Sequence, residues 1–420
     1  MSKPLTSGEK STFGKDLLAS LVVFIIAVPL SLGIALASGM PATSALVAAA
    51  VGGLLVGLLS GAPLVVSGPA AGLSAMVLGF VAKFGVEAIY RITVIVGVIQ
   101  LLFGLFRLGK LINRIPKVVL EGVLTAIGLI ILIGQLHIWM GGKIPGSPMT
   151  NIVALPHTLM AALTTGAWGI RPAFVAGISA MAVQLAFPKF FPKYKWLPAA
   201  LPACLVGTLV AVAWDVPRIE MAPIGSHVSG VLGHILSGES WAGVMQWLGP
   251  AFGLALVASA ETLLTARAIQ IVAEKTIPTM QTHVDKELIA QGIGNLTSGF
   301  LGGMPLTGVM VRSAANLEAG AGTRYSTMLH GFWVLASVSL FPFVMEKIPL
   351  SVLASILVVT GYRLMNPAGI RRAIRKDGPE AWFWPGTAVL IFATDLLMGF
   401  GIALAVYVGY YFATKKKATA

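Results

Sequence analysis

Charge is what this sequence has least of. Only 11% of its 420 residues are Asp, Glu, Lys or Arg, against about a quarter in a soluble domain, while 56% are hydrophobic and the mean hydropathy is +0.88. That scarcity excludes a string of soluble domains and makes the chain a polytopic membrane protein in a lipid bilayer. Acidic residues are scarcer than basic ones, 16 against 29, for a net charge of +13. The basic residues are scattered through short loops, so membrane topology accounts for them and no nucleic-acid partner is expected. A single cysteine, Cys204, excludes a disulfide framework and a cysteine metal site. The six histidines contain no HxxxH or HExxH, so metal coordination is not expected. No GxSxG, Walker loop or kinase set is present, which leaves an ATP-driven pump, a serine hydrolase or any other enzyme without support. No small-residue cleavage pattern follows the basic N-terminus, so the first apolar segment reads as a span and not as a removed signal.

What is there is a succession of apolar segments. A span needs about 20 such residues. Helices are expected near 17–36, 42–60, 70–82, 88–106, 116–136, 172–187, 196–214, 247–268, 287–301, 307–317, 326–345, 350–364, 381–394 and 396–412, with an interfacial helix near 151–165. The segments 70–82 and 307–317 are too short to cross. With the N-terminus inside, about 22 basic residues fall on the cytoplasmic side and about 6 outside, leaving Arg312 over. That is a positive-inside bias, with both termini cytoplasmic in the plasma (bacterial inner) membrane. The longest exterior loops are near 137–171 and 215–246, rich in Gly, Pro, Ser and His and too small for a folded domain. Trp139, Trp168, Trp196, Trp214, Trp241 and Trp247 lie near span ends and read as interface anchors.

Two stretches break the apolar pattern. One is Gly302-Gly303-Met304-Pro305-Leu306-Thr307-Gly308-Val309-Met310-Val311-Arg312-Ser313-Ala314-Ala315-Asn316, and the other runs from Gly61 through Pro69 to Gly72. Each is a short, Gly/Pro-interrupted segment, third in its set of seven. Paired interruptions at matching places in two halves point to a transporter binding site. Seven spans per half make the copies inverted, so the two half-helix N-termini face each other, each with free N–H groups and about half a positive charge. Such a pair binds an anion without a side chain. Arg312 is costly at membrane depth, and it reads as facing the anion, with a structural cap as the bland alternative. Asn316, one turn on, can hold Arg312 or cap the half-helix.

Few acidic residues lie inside the expected spans, and Glu261 is the main candidate. Glu261 and Thr265 are i and i+4 and share a helix face. Together they offer oxygen ligands to a small hard cation, or the carboxyl takes a proton; a structural pair with Arg312 or Arg267 is the alternative. Glu121 reads as an interfacial ion pair beside Arg114 and Lys117, and Asp395 as a helix cap. His283 and His330 are placed at or near the cytoplasmic side.

Gly303-Met304-Pro305-x-Thr307-Gly308-x-x-x-Arg312-Ser313-Ala314-x-Asn316, followed by Gly320-Ala321-x-Thr323, resembles the tenth-helix signature of the SulP (sulfate permease) family of anion transporters. Glu261-Thr262-Leu263-Leu264-Thr265-Ala266, Glu287-Leu288-Ile289-Ala290-Gln291-Gly292-Ile293-Gly294-Asn295, Ser67-Gly68-Pro69-Ala70-Ala71-Gly72 and Ala27-Val28-Pro29-Leu30-Ser31-Leu32 fit the same family. The resemblance covers the membrane part; the STAS domain that members usually carry does not follow. It implies an all-α fold of fourteen transmembrane segments in a 7+7 inverted repeat, and commonly a homodimer. After a cytoplasmic N-terminus 1–16, a core domain takes 17–110 and 247–346 and a gate domain 111–215 and 347–412. The exterior loop is 216–246 and the cytoplasmic tail 413–420. The apolar Pro29-Leu30 looks more like the bicarbonate branch than like the sulfate-type members. The resemblance places the anion at Gly308, Val309, Met310, Val311 and Arg312, and at the backbone N–H groups of Ala70, Ala71, Gly72, Val309 and Met310. Sodium or a proton is placed at Glu261 and Thr265, beside Gly308 and Met310, with Pro69, Thr262, Thr307 and Asn316 in support. The expected activity is secondary transport of bicarbonate, with no cofactor other than bound sodium. A sulfate transporter or exchanger of the same family, a nucleobase permease of the same fold and an uncoupled anion channel are the alternatives.

Overall fold

In the computed structural model, residues 7–112, 116–165, 170–192, 199–237, 244–274, 277, 280–375, 378–394 and 396–418 are described. In chain order the elements are α1 (Ser7–Ala37), α2 (Ala42–Leu59, with a π turn at Gly52–Val56), β1 (Ser67–Gly68), α3 (Ala71–Phe84), α4 (Val86–Leu105) and α5 (Lys117–Trp139). There follow α6 (Pro148–Thr164), α7 (Pro172–Phe190), α8 (Ala200–Val210), α9 (Ile224–Leu236), α10 (Met245–Ala273), α11 (Val284–Phe300), β2 (Thr307–Gly308) and α12 (Met310–Glu318). The chain closes with α13 (Tyr325–Leu340), α14 (Leu350–Met365), α15 (Pro367–Arg375), α16 (Pro379–Ala393) and α17 (Leu396–Ala418).

Among the described residues, seven helices are long and apolar enough to cross a membrane, fewer than the fourteen expected. The others are shorter, as α8, α9, α16 and the apolar part of α17 are, or carry polar residues on a short helix, as α11 does. The fold is that of a polytopic α-helical membrane protein, with one exception that the sequence pattern hid. β1 and β2 pair antiparallel, Ser67 opposite Gly308 and Gly68 opposite Thr307. The expected helix 307–317 therefore starts only at Met310, because Thr307 and Gly308 are extended and paired.

The helices pack in two groups. α11 lies along α4, α13 along α1 and α2, and α10 along α4; α14 lies along α5 and α7, and α16 along α5. At the α5–α14 contact the backbones nearly touch. A Cβ at Gly128 would sit 2.6 Å from the Gly361 carbonyl, and one at Gly361 2.7 Å from that of Gly128, so small residues set this interface as they do between membrane helices generally. α3 and α1 bridge the groups through contacts with α5 and α14.

The expected exterior loop 216–246 holds a helix among its described residues. α9 forms within it and buries Val231 and Ile235, one turn apart. Its glycines and serines conceal that apolar stripe, and its His227 Nε2 lies 2.9 Å from the Gly302 carbonyl. Since a carbonyl only accepts, Nε2 carries the proton in this contact. Glu121 does pair, with Lys117 at 3.4 Å, the only ion pair among the described residues. Trp247 is buried and not an interface anchor, and the Arg91 guanidinium sits 5.5 Å from its ring. His330 is likewise not near the surface but fully buried in α13. Asp395, Arg114, Trp168, Trp196 and Trp241 lie outside the described residues.

Candidate functional site

The two interrupted stretches meet. Each half-helix begins one or two residues after its strand, with Ala70 and Val309 as the extended N-caps of α3 and α12. The strand pair therefore brings the two N-termini to one place. The first-turn N–H groups of a helix have no acceptor within it, so Ala71, Gly72, Met310 and Val311 present donors there. Val309 does not: its N–H donates to the Val66 carbonyl at 2.9 Å. The expectation that Val309 N–H serves an anion is thus corrected; it is consumed in extending the strand pair. Met310 and Val311 are exposed between the buried Val309 and Arg312.

α10 holds Gly308 from both sides of its peptide. Gly308 N–H donates to Thr262 Oγ1 at 2.9 Å, and Thr265 Oγ1 donates to the Gly308 carbonyl at 3.2 Å. Thr307 Oγ1 lies 2.6 Å from Thr262 Oγ1 and 2.8 Å from the Ala258 carbonyl. Because that carbonyl only accepts, Thr307 gives it its proton and Thr262 donates to Thr307. Ser313 closes the other side, accepting from Val66 N–H at 2.9 Å and donating to the Val309 carbonyl at 2.7 Å.

Glu261 sits beside this grip, partly buried, and points at α3. A Cβ at Gly72 would meet its two carboxyl oxygens at 2.7 and 2.9 Å. Only glycine lets the carboxyl approach the first turn so closely. Glu261 Oε2 is buried with no hydrogen-bond partner, and Glu261 pairs with neither Arg312 nor Arg267. Glu261 and Thr265, one turn apart on α10, and the Gly308 carbonyl that Thr265 bonds are oxygen donors of the kind that suits a hard cation.

Arg312 is fully buried. Its Nη2 donates to Ser31 Oγ on α1 at 2.9 Å and reaches the Pro69 carbonyl at 3.4 Å, while Nε and Nη1 have no partner. It passes over Gly68, where a Cβ would stand 2.5 Å from Nη1. Asn316 does not hold it. The Asn316 amide donates instead to the Leu64 carbonyl at 3.2 Å, tying α12 to the approach of β1. The site therefore contains one buried acid and one buried base, apart from each other and each with unmet polar atoms. Uncompensated charge at such burial costs several kcal/mol.

Along α3 from the site, a cavity of about 520 Å³ opens between that helix and α5, lined by Ala75, Leu78, Gly79, Ile130, Gly134 and Gln135. Ser31, Ser67, Ser313, Gln291 and Asn295 all touch the crossing yet are not singled out by residue chemistry alone. Polar spacing along 287–298 was the available signal.

The model of the sulfate permease family matches residues 13–387. A putative sulfate transporter, YvdB of Bacillus subtilis, is 28% identical over 415 residues, 97% of this chain and 75% of that protein. The bicarbonate transporter BicA of Picosynechococcus is 27% identical over 401 residues, 93% and 69% of the two chains. The solved transmembrane domain of a cyanobacterial BicA superposes with a TM-score of 0.76 at 24% identity, covering 94% of this chain and 97% of that one. The chain belongs to the sulfate permease family, and is accordingly a secondary transporter of a small inorganic anion and not an enzyme.

Proposed function

We propose that the transported anion is bicarbonate, taken up with sodium or a proton bound at Glu261, and released by movement of a core domain (17–110 and 247–346) against a gate domain (111–215 and 347–412). The observation that carries this reading is the juxtaposition at the strand pair: two helix N-termini, one buried carboxyl and one buried guanidinium, unpaired with each other. An anion at the first-turn N–H groups of Ala71, Gly72, Met310 and Val311 gains both dipole ends and the potential of Arg312. A cation at Glu261, Thr265 and the Gly308 carbonyl offsets its charge. Each ligand lowers the cost of the other, which is what coupling requires. One arginine and two dipole ends suit a monoanion better than a dianion, which favours bicarbonate over sulfate.

The antiparallel strands send α3 and α12 away in opposite directions, and this supports the 7+7 inverted repeat with fourteen membrane elements. Cytoplasmic termini in the bacterial inner membrane rest on the positive-inside bias, and a homodimer on the family resemblance. The test is uptake of labelled bicarbonate and of labelled sulfate into proteoliposomes under imposed sodium or proton gradients. Bicarbonate accumulation driven by one gradient is expected. Accumulation of sulfate alone would move the substrate, and accumulation of neither would overturn the reading.

A further inference from the structure

α11 carries a stripe that the transport reading leaves unused. Glu287, Gln291, Asn295 and Ser298 recur at spacings of four, four and three, and all four are fully buried. On a helix these positions share one face, and the stripe spans about 16 Å at 1.5 Å per residue. A buried polar face along a membrane helix is costly unless every group is matched, so what it bonds to matters.

Its partners are the two chain segments that form the crossing. At one end Glu287 Oε2 accepts from Ser60 Oγ at 2.5 Å and from Ala62 N–H at 3.1 Å. One turn on, the Gln291 amide donates to Glu287 Oε1 at 2.9 Å and to Ser67 Oγ, within β1, at 2.6 Å. From the other end, Ser298 Oγ donates to the Met304 carbonyl at 2.9 Å. Asn295 then takes both polar groups of Leu306, the residue before β2: Oδ1 accepts from its N–H at 2.8 Å and Nδ2 donates to its carbonyl at 2.9 Å. The second amide hydrogen of Asn295 goes to Gln100 Oε1 at 2.7 Å on α4, and Gln100 donates to Ser259 Oγ on α10 at 3.1 Å. The flipped amide would set carbonyl against carbonyl at Leu306, so the network itself fixes the orientation.

One segment thus climbs α11 from Ser60 to Ser67, and the other descends it from Met304 to Leu306. They meet between Gln291 and Asn295, where β1 and β2 pair. A two-residue strand pair is far too short to hold its own register. We propose that α11 is the ruler for the crossing: Gln291 and Asn295 are positioning residues that fix how the N-termini of α3 and α12 stand relative to each other, and with them the anion site.

This rests on the anion site assigned above, so one readout is chosen that does not need transport. In a Cys204→Ala background, spin labels at Lys83→Cys and Glu318→Cys, exposed positions at the far ends of α3 and α12, report the disposition of the two half-helices. Asn295→Ala is expected to broaden or shift their distance distribution, and to raise the KM for labelled bicarbonate about tenfold, the equivalent of one buried hydrogen bond. Ser67→Ala removes a single hydroxyl, leaves Gln291 bound to Glu287 and should fold; a smaller change in the same direction is expected. Thr125→Val is the control. It breaks one part-buried hydrogen bond to Met365 and one buried hydrogen bond to Trp384 away from the crossing, and should lower thermal stability while leaving the label distance and KM alone. Parent-like label distances in Ser67→Ala, and in Asn295→Ala wherever it folds, would overturn the proposal even if the chain transports no bicarbonate. A change equal to that of Thr125→Val would do the same.

Discussion

Glu261 and Glu287 are both glutamates set among the helices, the first partly and the second fully buried, and their surroundings are opposite. Glu287 is wrapped in donors: a serine hydroxyl, a backbone N–H and a glutamine amide all point at its oxygens. Glu261 has a buried oxygen with no hydrogen-bond partner. A buried carboxylate is tolerated when hydrogen bonds replace its hydration. Glu287 meets that condition within the chain alone. Glu261 does not, which is why we assign the coupling cation or proton to it. The contrast separates an acid matched within the fold from one we assign to coupling, and the donors around each carboxyl make it.

Breaking the saturated member should cost most. Glu287→Ala leaves the Ser60 hydroxyl and one Gln291 amide hydrogen unmatched in the interior, while Ala62 N–H keeps only Ser60 Oγ, a loss of about 3 kcal/mol. The expected outcome is little or no monodisperse protein in detergent, read by fluorescence-detected gel filtration and thermal unfolding. Folding close to that of the parent would erase the distinction between the two acids.

Arg312 sharpens the comparison from the basic side. It is buried with a partial set of partners, so its removal relieves an uncompensated charge while it deletes the proposed anion contact. Arg312→Ala is expected to stay folded, with thermal stability changed far less than in Glu287→Ala, and to raise the KM for bicarbonate about tenfold or more, in line with loss of a charged hydrogen bond. A parent-like KM would make Arg312 a strut between Ser31 and Pro69. Ser31→Ala is the mildest test. It removes the one short hydrogen bond of Arg312, and about a threefold rise in KM is expected, at the low end for a neutral hydrogen bond. A Ser31 effect exceeding that of Arg312 would reverse the order of importance.

Much of this was legible in the sequence because the features stand out against apolar background. Gly/Pro breaks at Gly61–Gly72 and Gly302–Gly308 marked the crossing. Arg312 and Glu261 were conspicuous as charges in apolar segments, and most helix limits fell within a few residues of the expected ones. What was not legible depends on pairing across long sequence separations. Nothing local says that Val309 N–H is spent on Val66, that Asn316 reaches Leu64 and not Arg312, or that Gln291 and Asn295 hold residues from two different segments. Glu287 was passed over because it lies at the start of its span, where an acid reads as a first-turn residue. α9 was missed because glycines and serines masked its Val231–Ile235 stripe, and the role of Trp247 because span-end position says nothing about the Arg91 beside it.

The account stands most directly on Glu261→Gln, which keeps the shape of the side chain and removes its charge. The measurement is labelled bicarbonate accumulation in proteoliposomes under the gradient that drives the parent, beside thermal unfolding of the same sample. The predicted result is a protein at least as stable as the parent that no longer accumulates bicarbonate against a gradient. Undiminished gradient-driven accumulation would contradict the assignment of Glu261 as the coupling group.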